Sequence, residues 1–198
     1  MLEGNENPES HSENAGPIQK ILNGIAWVGQ AASWLIIPIL VLVLAGVTLA
    51  ALKVGTILEW ESDIFLFGSK LTLASLGDLQ WHLFGAMLML TLPAAAVTDN
   101  HVRVDLLRQH MSGRGQRIVD TLGSIFLLLP FAGIMAWHGL EFARRSFRFG
   151  EGSDYDGLYD RFVVKAFVPL GFALLTVAAV ALAVRALTQK SSRGVTKL

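Results

Sequence analysis

Charged residues are excluded from four stretches of the chain: Ile21–Leu52, Leu79–Thr98, Thr121–Leu140 and Ala166–Val184. These runs are 32, 20, 20 and 19 residues long and together hold 91 of the 198 residues. A hydrocarbon core of roughly 30 Å is crossed by about 20 helical residues. The pattern predicts an all-α integral membrane protein with four transmembrane helices plus interfacial helical segments. Spans are expected near 34–52, 79–98, 121–140 and 166–184, inside a membrane domain covering 20–188. Residues 1–19 read as a disordered cytoplasmic tail and 189–198 as a basic cytoplasmic tail.

The first run is too long for one upright span, since 32 residues at about 1.5 Å each reach roughly 48 Å. Ile21, Ile25, Val28 and Ala32 recur at helical spacing, opposite Asn23, Gln30 and Ser33. This predicts an interfacial or strongly tilted entry over 21–33, with Trp34–Leu52 as the core of the span. A single long tilted helix is the alternative. Trp27 and Trp34 suit the headgroup boundary, where an indole is half wet. Each run also holds one proline: Pro38, Pro93, Pro130 and Pro169. Membrane helices tolerate proline, and no run has the Gly-rich break or polar cluster of an ion site.

Composition agrees. The chain is 53% hydrophobic and 16% charged, with a mean hydropathy of +0.50; soluble domains carry about 25% charge. Net charge is zero, which argues against a nucleic-acid binder with its clustered basic footprint. With no cysteine, disulfides, thiolate-bound zinc and thiolate catalysis are excluded. The opening MLEGNENPESHSENAGPIQ has four Glu and no basic residue, unlike a secretory signal, so the first span is expected to be retained.

Charge placement gives an orientation. The C-terminal Arg185, Lys190, Arg193 and Lys197 come without acids, and loop 99–120 carries Arg103, Arg108, Arg114 and Arg117. Loop 53–78 sets only Lys53 and Lys70 against Glu59, Glu61, Asp63 and Asp78. Positive charge near span ends is retained in the cytoplasm, so both termini and loop 99–120 are placed there. In loop 99–120, Asp99 or Asn100 caps a helix with Val104, Leu107 and Met111 on one face. It reads either as an interfacial helix against anionic headgroups or as a docking element for a partner.

Past the third run, Glu141 precedes Arg144, Arg145 and Arg148 at i+3, i+4 and i+7. Glu141 can pair along that face, though solvated pairs gain little, and the stretch reads as a helix continuing beyond the bilayer. The next stretch, GEGSDYDGLYDRF, fails as a calcium loop because Gly152 and Val163 stand where acids are needed. It reads as a surface turn back into the membrane. His82 and His138, near the ends of the second and third runs, would reach similar depth in antiparallel spans. A b-type haem between them is one reading; rim histidines beside Trp81, Asp78 and Glu141 are the plainer one. No Asp, Glu, Lys or Arg lies centrally in any run, and no nucleophile, phosphate-loop or metal constellation is evident. These residues describe a scaffold rather than a pump or an enzyme.

From Leu76 onward, about two-thirds of the chain, the sequence resembles a known family. LQWHLFGAMLMLTLPAAAVTDNHVRVDLL, Leu79–Leu107, is similar to the second span and following loop of the small membrane subunit of tripartite ATP-independent periplasmic (TRAP) transporters. HVRVDLL, with His101, Arg103 and Asp105, is the most specific part. GLYDRFVVKAFVPLGFALL resembles the family's entry to the last span, near Lys165, Pro169 and Gly171. The family's inter-span loop would have Gly where PAAAVTDNH has Ala and Asn.

The resemblance implies a bacterial inner-membrane subunit that widens the scaffold of a large sodium-coupled membrane subunit. That partner takes up an organic acid or similar solute delivered by a periplasmic binding protein. Sodium is then expected on the large partner, with no cofactor here. Small residues permitting close helix approach, Gly85, Gly133, Ala136 and Gly171, become interface candidates. So do the rim residues Trp81, His82, His101, Arg103, Asp105, Glu141, Arg144, Arg145 and Lys165, with membrane lipid as a further partner. The competing classes are a four-helix b-type cytochrome anchor on His82 and His138, a self-contained small transporter, and an isolated membrane enzyme.

Overall fold

The computed structural model describes residues 16–98, 113–153, 155 and 157–188. Among these, four helical stretches are long and apolar enough to cross a membrane: Pro17–Ala51, Leu73–Val97, Gly123–Phe149 and Phe162–Leu187. The predicted fold class is what the structure has.

The first stretch is two helices, α1 (Pro17–Ser33) and α2 (Ile36–Ala51). Pro38 accounts for the break between them. It has no N–H to give the Trp34 carbonyl, which accepts instead from Ile37 at 3.1 Å, in a tightened turn. Helix α1 buries Leu22, Ile25, Gly29 and Ala32 on one stripe. Helix α2 buries none of its residues.

A two-stranded antiparallel hairpin follows, β1 (Thr56–Ile64) and β2 (Gly68–Thr72), which the apolar pattern did not announce. Leu66 and Gly68 take positive φ in its turn. Helix α3 (Leu73–Val97) starts ahead of the apolar run, because Thr72 and Ser75 form a reciprocal capping box. After α4 (Gly113–Leu122) comes a π-helical stretch, Gly123–Leu128, and then α5 (Leu129–Phe149). The wider π turn lets Leu129 reach the Ser124 carbonyl just before Pro130, whose ring would otherwise crowd the turn below. Gly150, left-handed at φ 56°, ends α5. The final helix is α6 (Phe162–Thr188).

Helix α6 is the centre of the bundle. Helices α3 and α5 pack chiefly on it rather than on each other, and α1 packs on α3 and α6. Helix α2 packs on α3. The core joins Ala96, Ala132, Phe172 and Leu175, with Met89, Leu92 and Val168 against it. Glycines set the helix spacing. A Cβ on Gly171 would lie 2.5 Å from the Met89 carbonyl oxygen, and one on Gly29 would overlap Ala94. Such small-residue contacts are how helices approach closely in lipid.

Candidate functional site

One end of the bundle carries a folded cap. It comprises the hairpin, the first turns of α3, the last turns of α5, the connection 150–161 and the start of α6. Asp78 sits at its centre. The Asp78 Oδ2 accepts the Leu158 backbone N–H at 3.1 Å and the Arg161 Nη2 at 3.4 Å. Leu158 is fully buried. Gly157 leaves the room for this: a Cβ there would stand 2.5 Å from the Ser153 hydroxyl and nearer still to Asp78.

A second clasp lies beside the first. Glu151 accepts from the buried Ser146 hydroxyl at 2.8 Å and from the Lys165 ammonium through the same Oε2. The Lys165 contact, followed by that of Ser146, holds the Glu151 carboxyl below its ordinary pKa. Lys165 also sits 4.4 Å from the centre of the Phe142 ring.

The hairpin is tied to the same connection. The Tyr159 N–H donates to the Leu66 carbonyl at 2.8 Å, and the Tyr159 ring covers Gly68 so closely that a Cβ there would overlap it. Trp60 Nε1 donates to the Gly68 carbonyl at 2.5 Å. Phe162 stacks edge-on with Phe147 of α5 and Phe65 of the hairpin tip, at 4.9 and 6.5 Å. Hydrogen bonds and ring edges thus tie this cap to α3, α5 and α6.

The expected interface residues are divided by the structure. Gly85 and Gly171 are occupied inside the chain, against Val164 and Met89. Lys165 is engaged by Glu151 and Phe142. Gly133 faces open space, and with Ala136, Trp137, Leu140, Pro169, Leu170, Ala173 and Thr176 it lines an apolar groove of about 610 Å³ between α5 and α6. Trp81 is exposed, edge-on to Phe84. His101, Arg103 and Asp105 lie outside the described residues.

Glu141 forms no ion pair with Arg144 or Arg145; exposed pairs of this kind gain so little that nothing compels them. All three instead line a recess of about 370 Å³ with Arg148 and Phe149. His82 and His138 lie on different helices, α3 and α5. His138 is exposed on α5, whereas the His82 Nδ1 lies 2.6 Å from the Asp78 carbonyl of its own helix, with Nε2 buried and unpartnered. Helix α6 stands between the helices that carry them.

Asp78, Ser146, Glu151, Gly157 and Arg161 were not singled out as site residues from the sequence. The one signal was the run of acids in 53–78, of which Asp78 proves to be helical and inward-facing rather than part of a loop.

A family model described as tripartite ATP-independent periplasmic transporters, DctQ component, matches residues 65–189. The match begins at the hairpin tip and takes in the whole cap from β2 onward, together with α3, α5 and α6. No curated protein and no solved structure matches the chain.

Proposed function

The chain belongs to the DctQ-component family of tripartite ATP-independent periplasmic transporters, and on that premise we propose how it serves as the small permease subunit. It is a scaffold in the bacterial inner membrane. A large sodium-coupled subunit packs against it, and a periplasmic binding protein delivers an organic acid or similar solute. Both termini are cytoplasmic, so the cap faces the periplasm, where it offers a rigid rim to the binding protein.

The observation that carries this reading is helix α2. Sixteen residues long and wholly apolar apart from Thr48, it buries none of them within its own chain. Ile37, Leu40, Val41, Leu44 and Val47 are more than half exposed. Helix α2 is held to the bundle through α3, and its outer side suits another apolar helix. In lipid such contacts gain from packing rather than from water release.

Co-expression with the genomic neighbours tests the proposal. A large polytopic subunit should co-purify, and sodium-dependent solute uptake should require both chains. Cysteines at Val41 and on the large subunit should cross-link. Uptake that persists without this chain would overturn the scaffold role.

A further inference from the structure

We propose that α5 and its groove with α6 bind one anionic phospholipid. Its phosphate lies on Arg144 and Arg148, and an acyl chain lies along Gly133, Trp137 and Leu140. This goes beyond the transporter reading and stands without it.

The residues fall on one line. Gly133, Trp137, Leu140, Arg144 and Arg148 follow one another at steps of four, three, four and four, the spacing that stacks side chains along one helix face. The membrane-side part of this line is the wall of the apolar groove, completed by Pro169, Leu170 and Ala173 of α6. Gly133 and Leu140 are seven residues apart, roughly 10 Å of helix, and Pro169 and Thr176 match that span on the antiparallel wall. One turn beyond Leu140 the line turns cationic. Arg144, Arg145 and Arg148 share a recess with Glu141 and Phe149. An apolar trough that ends in a charged recess has the shape of a lipid: tail below, headgroup at the rim.

Electrostatics selects the headgroup. Asp78 and Glu151 are taken by Arg161 and Lys165. Among the described residues, Arg144, Arg145 and Arg148 have no ion-pair or hydrogen-bond partner. Three guanidiniums against one carboxylate favour a net negative ligand, and guanidinium matches phosphate in bidentate fashion. Glu141 can accept from a headgroup hydroxyl, as phosphatidylglycerol supplies. In the proposed orientation this rim lies outside the cytoplasm. The rule that places positive charge inside therefore does not account for three arginines here.

The full chain, purified in detergent, is titrated with phosphatidylglycerol, phosphatidylcholine and phosphatidylethanolamine of identical acyl chains, and with inorganic phosphate. Native mass spectrometry counts bound lipid, and thermal unfolding reports its effect. One phosphatidylglycerol per chain is expected, at least ten-fold tighter than the zwitterionic lipids. Arg144→Gln and Arg148→Gln should each weaken it roughly five-fold, the effect expected of one basic residue near an anionic headgroup. Both sites are exposed, so the fold should be unaffected. Gly133→Leu, at a position open to space, should weaken the lipid and leave phosphate unchanged.

Equal retention of phosphatidylcholine, or unchanged binding in a variant that carries both Arg144→Gln and Arg148→Gln, would overturn the proposal. Full displacement of the lipid by inorganic phosphate would reduce the site to an anion recess and overturn it too. So would Gly133→Leu abolishing co-purification of the large subunit while phosphatidylglycerol binding stays intact, because the groove would then hold a protein helix.

Discussion

Asp78 on α3 accepts the backbone N–H of Leu158 across 80 residues of sequence, at 3.1 Å. One carboxylate on a helix thereby holds the connection between α5 and α6, and the buried Leu158 side chain is seated by the same contact. Removing the acceptor strands a donor in a dry place, which costs about 1–3 kcal/mol. Asp78→Ala should lower the thermal unfolding midpoint of the purified chain. Asp78→Asn, which keeps an acceptor for Leu158 and loses the charge facing Arg161, should lower it less. Equal loss in both variants would mean that the charge, not the backbone bond, holds the cap.

Two glycines in the membrane should respond in opposite ways. Gly171→Ala puts a methyl 2.5 Å from the Met89 carbonyl oxygen and must part α3 from α6. Overpacking of this kind costs about 1–3 kcal/mol. Gly133→Ala meets nothing within 4 Å, and helix propensity favours alanine by up to about 1 kcal/mol. Unfolding midpoints of the two variants, compared in the same detergent, check the contrast.

Glu151 makes the cap sensitive to acid. Its pKa is held below the ordinary 4.5, first by Lys165 and then by Ser146. A carboxylate depressed in the folded state contributes stability that is complete above the unfolded value. That contribution fades as pH falls below 4.5 through the lowered folded value. The chain should lose thermal stability over that interval, and Glu151→Gln should remove this part of the slope. A variant with an unchanged acid slope would assign the effect to other carboxylates.

The absence of cysteine makes orientation directly testable. Ser62 is exposed on β1, in the hairpin. Ser62→Cys should react in intact cells with a maleimide that passes the outer membrane but not the inner one. Reaction only after lysis would place the cap in the cytoplasm and invert the topology.

The four spans were legible because lipid imposes a simple rule, exclusion of charge, that survives without knowledge of neighbours. The cap was legible only in part. Strand β1 sets Glu59, Glu61 and Asp63 in alternation with Leu58, Trp60 and Ile64, a period-two signal next to much louder apolar runs. Asp78 resembles any other acid of its loop until Leu158 and Arg161 are brought to it, and that contact depends on how α3 and α6 pack. Gly85 and Gly171 stand where helices approach closely, against Val164 and Met89 of the same chain. Small residues alone could not say whether the neighbour belonged to this chain or another, since a helix face carries no label for ownership. The arginines after Glu141 show their shared face in the sequence, and only the structure shows that they stay unpaired.

The π-helical stretch Gly123–Leu128 has a geometric consequence for everything on its α4 side. An α-helix advances about 100° per residue. A π turn takes in one residue more than an α turn, so α4 is out of phase with α5 by about that angle relative to an unbroken rod. No single helical wheel can therefore be drawn from Gly113 to Phe149. Deleting one residue from the stretch would therefore swing the whole α4 end of the chain relative to the Gly133–Arg148 line of α5.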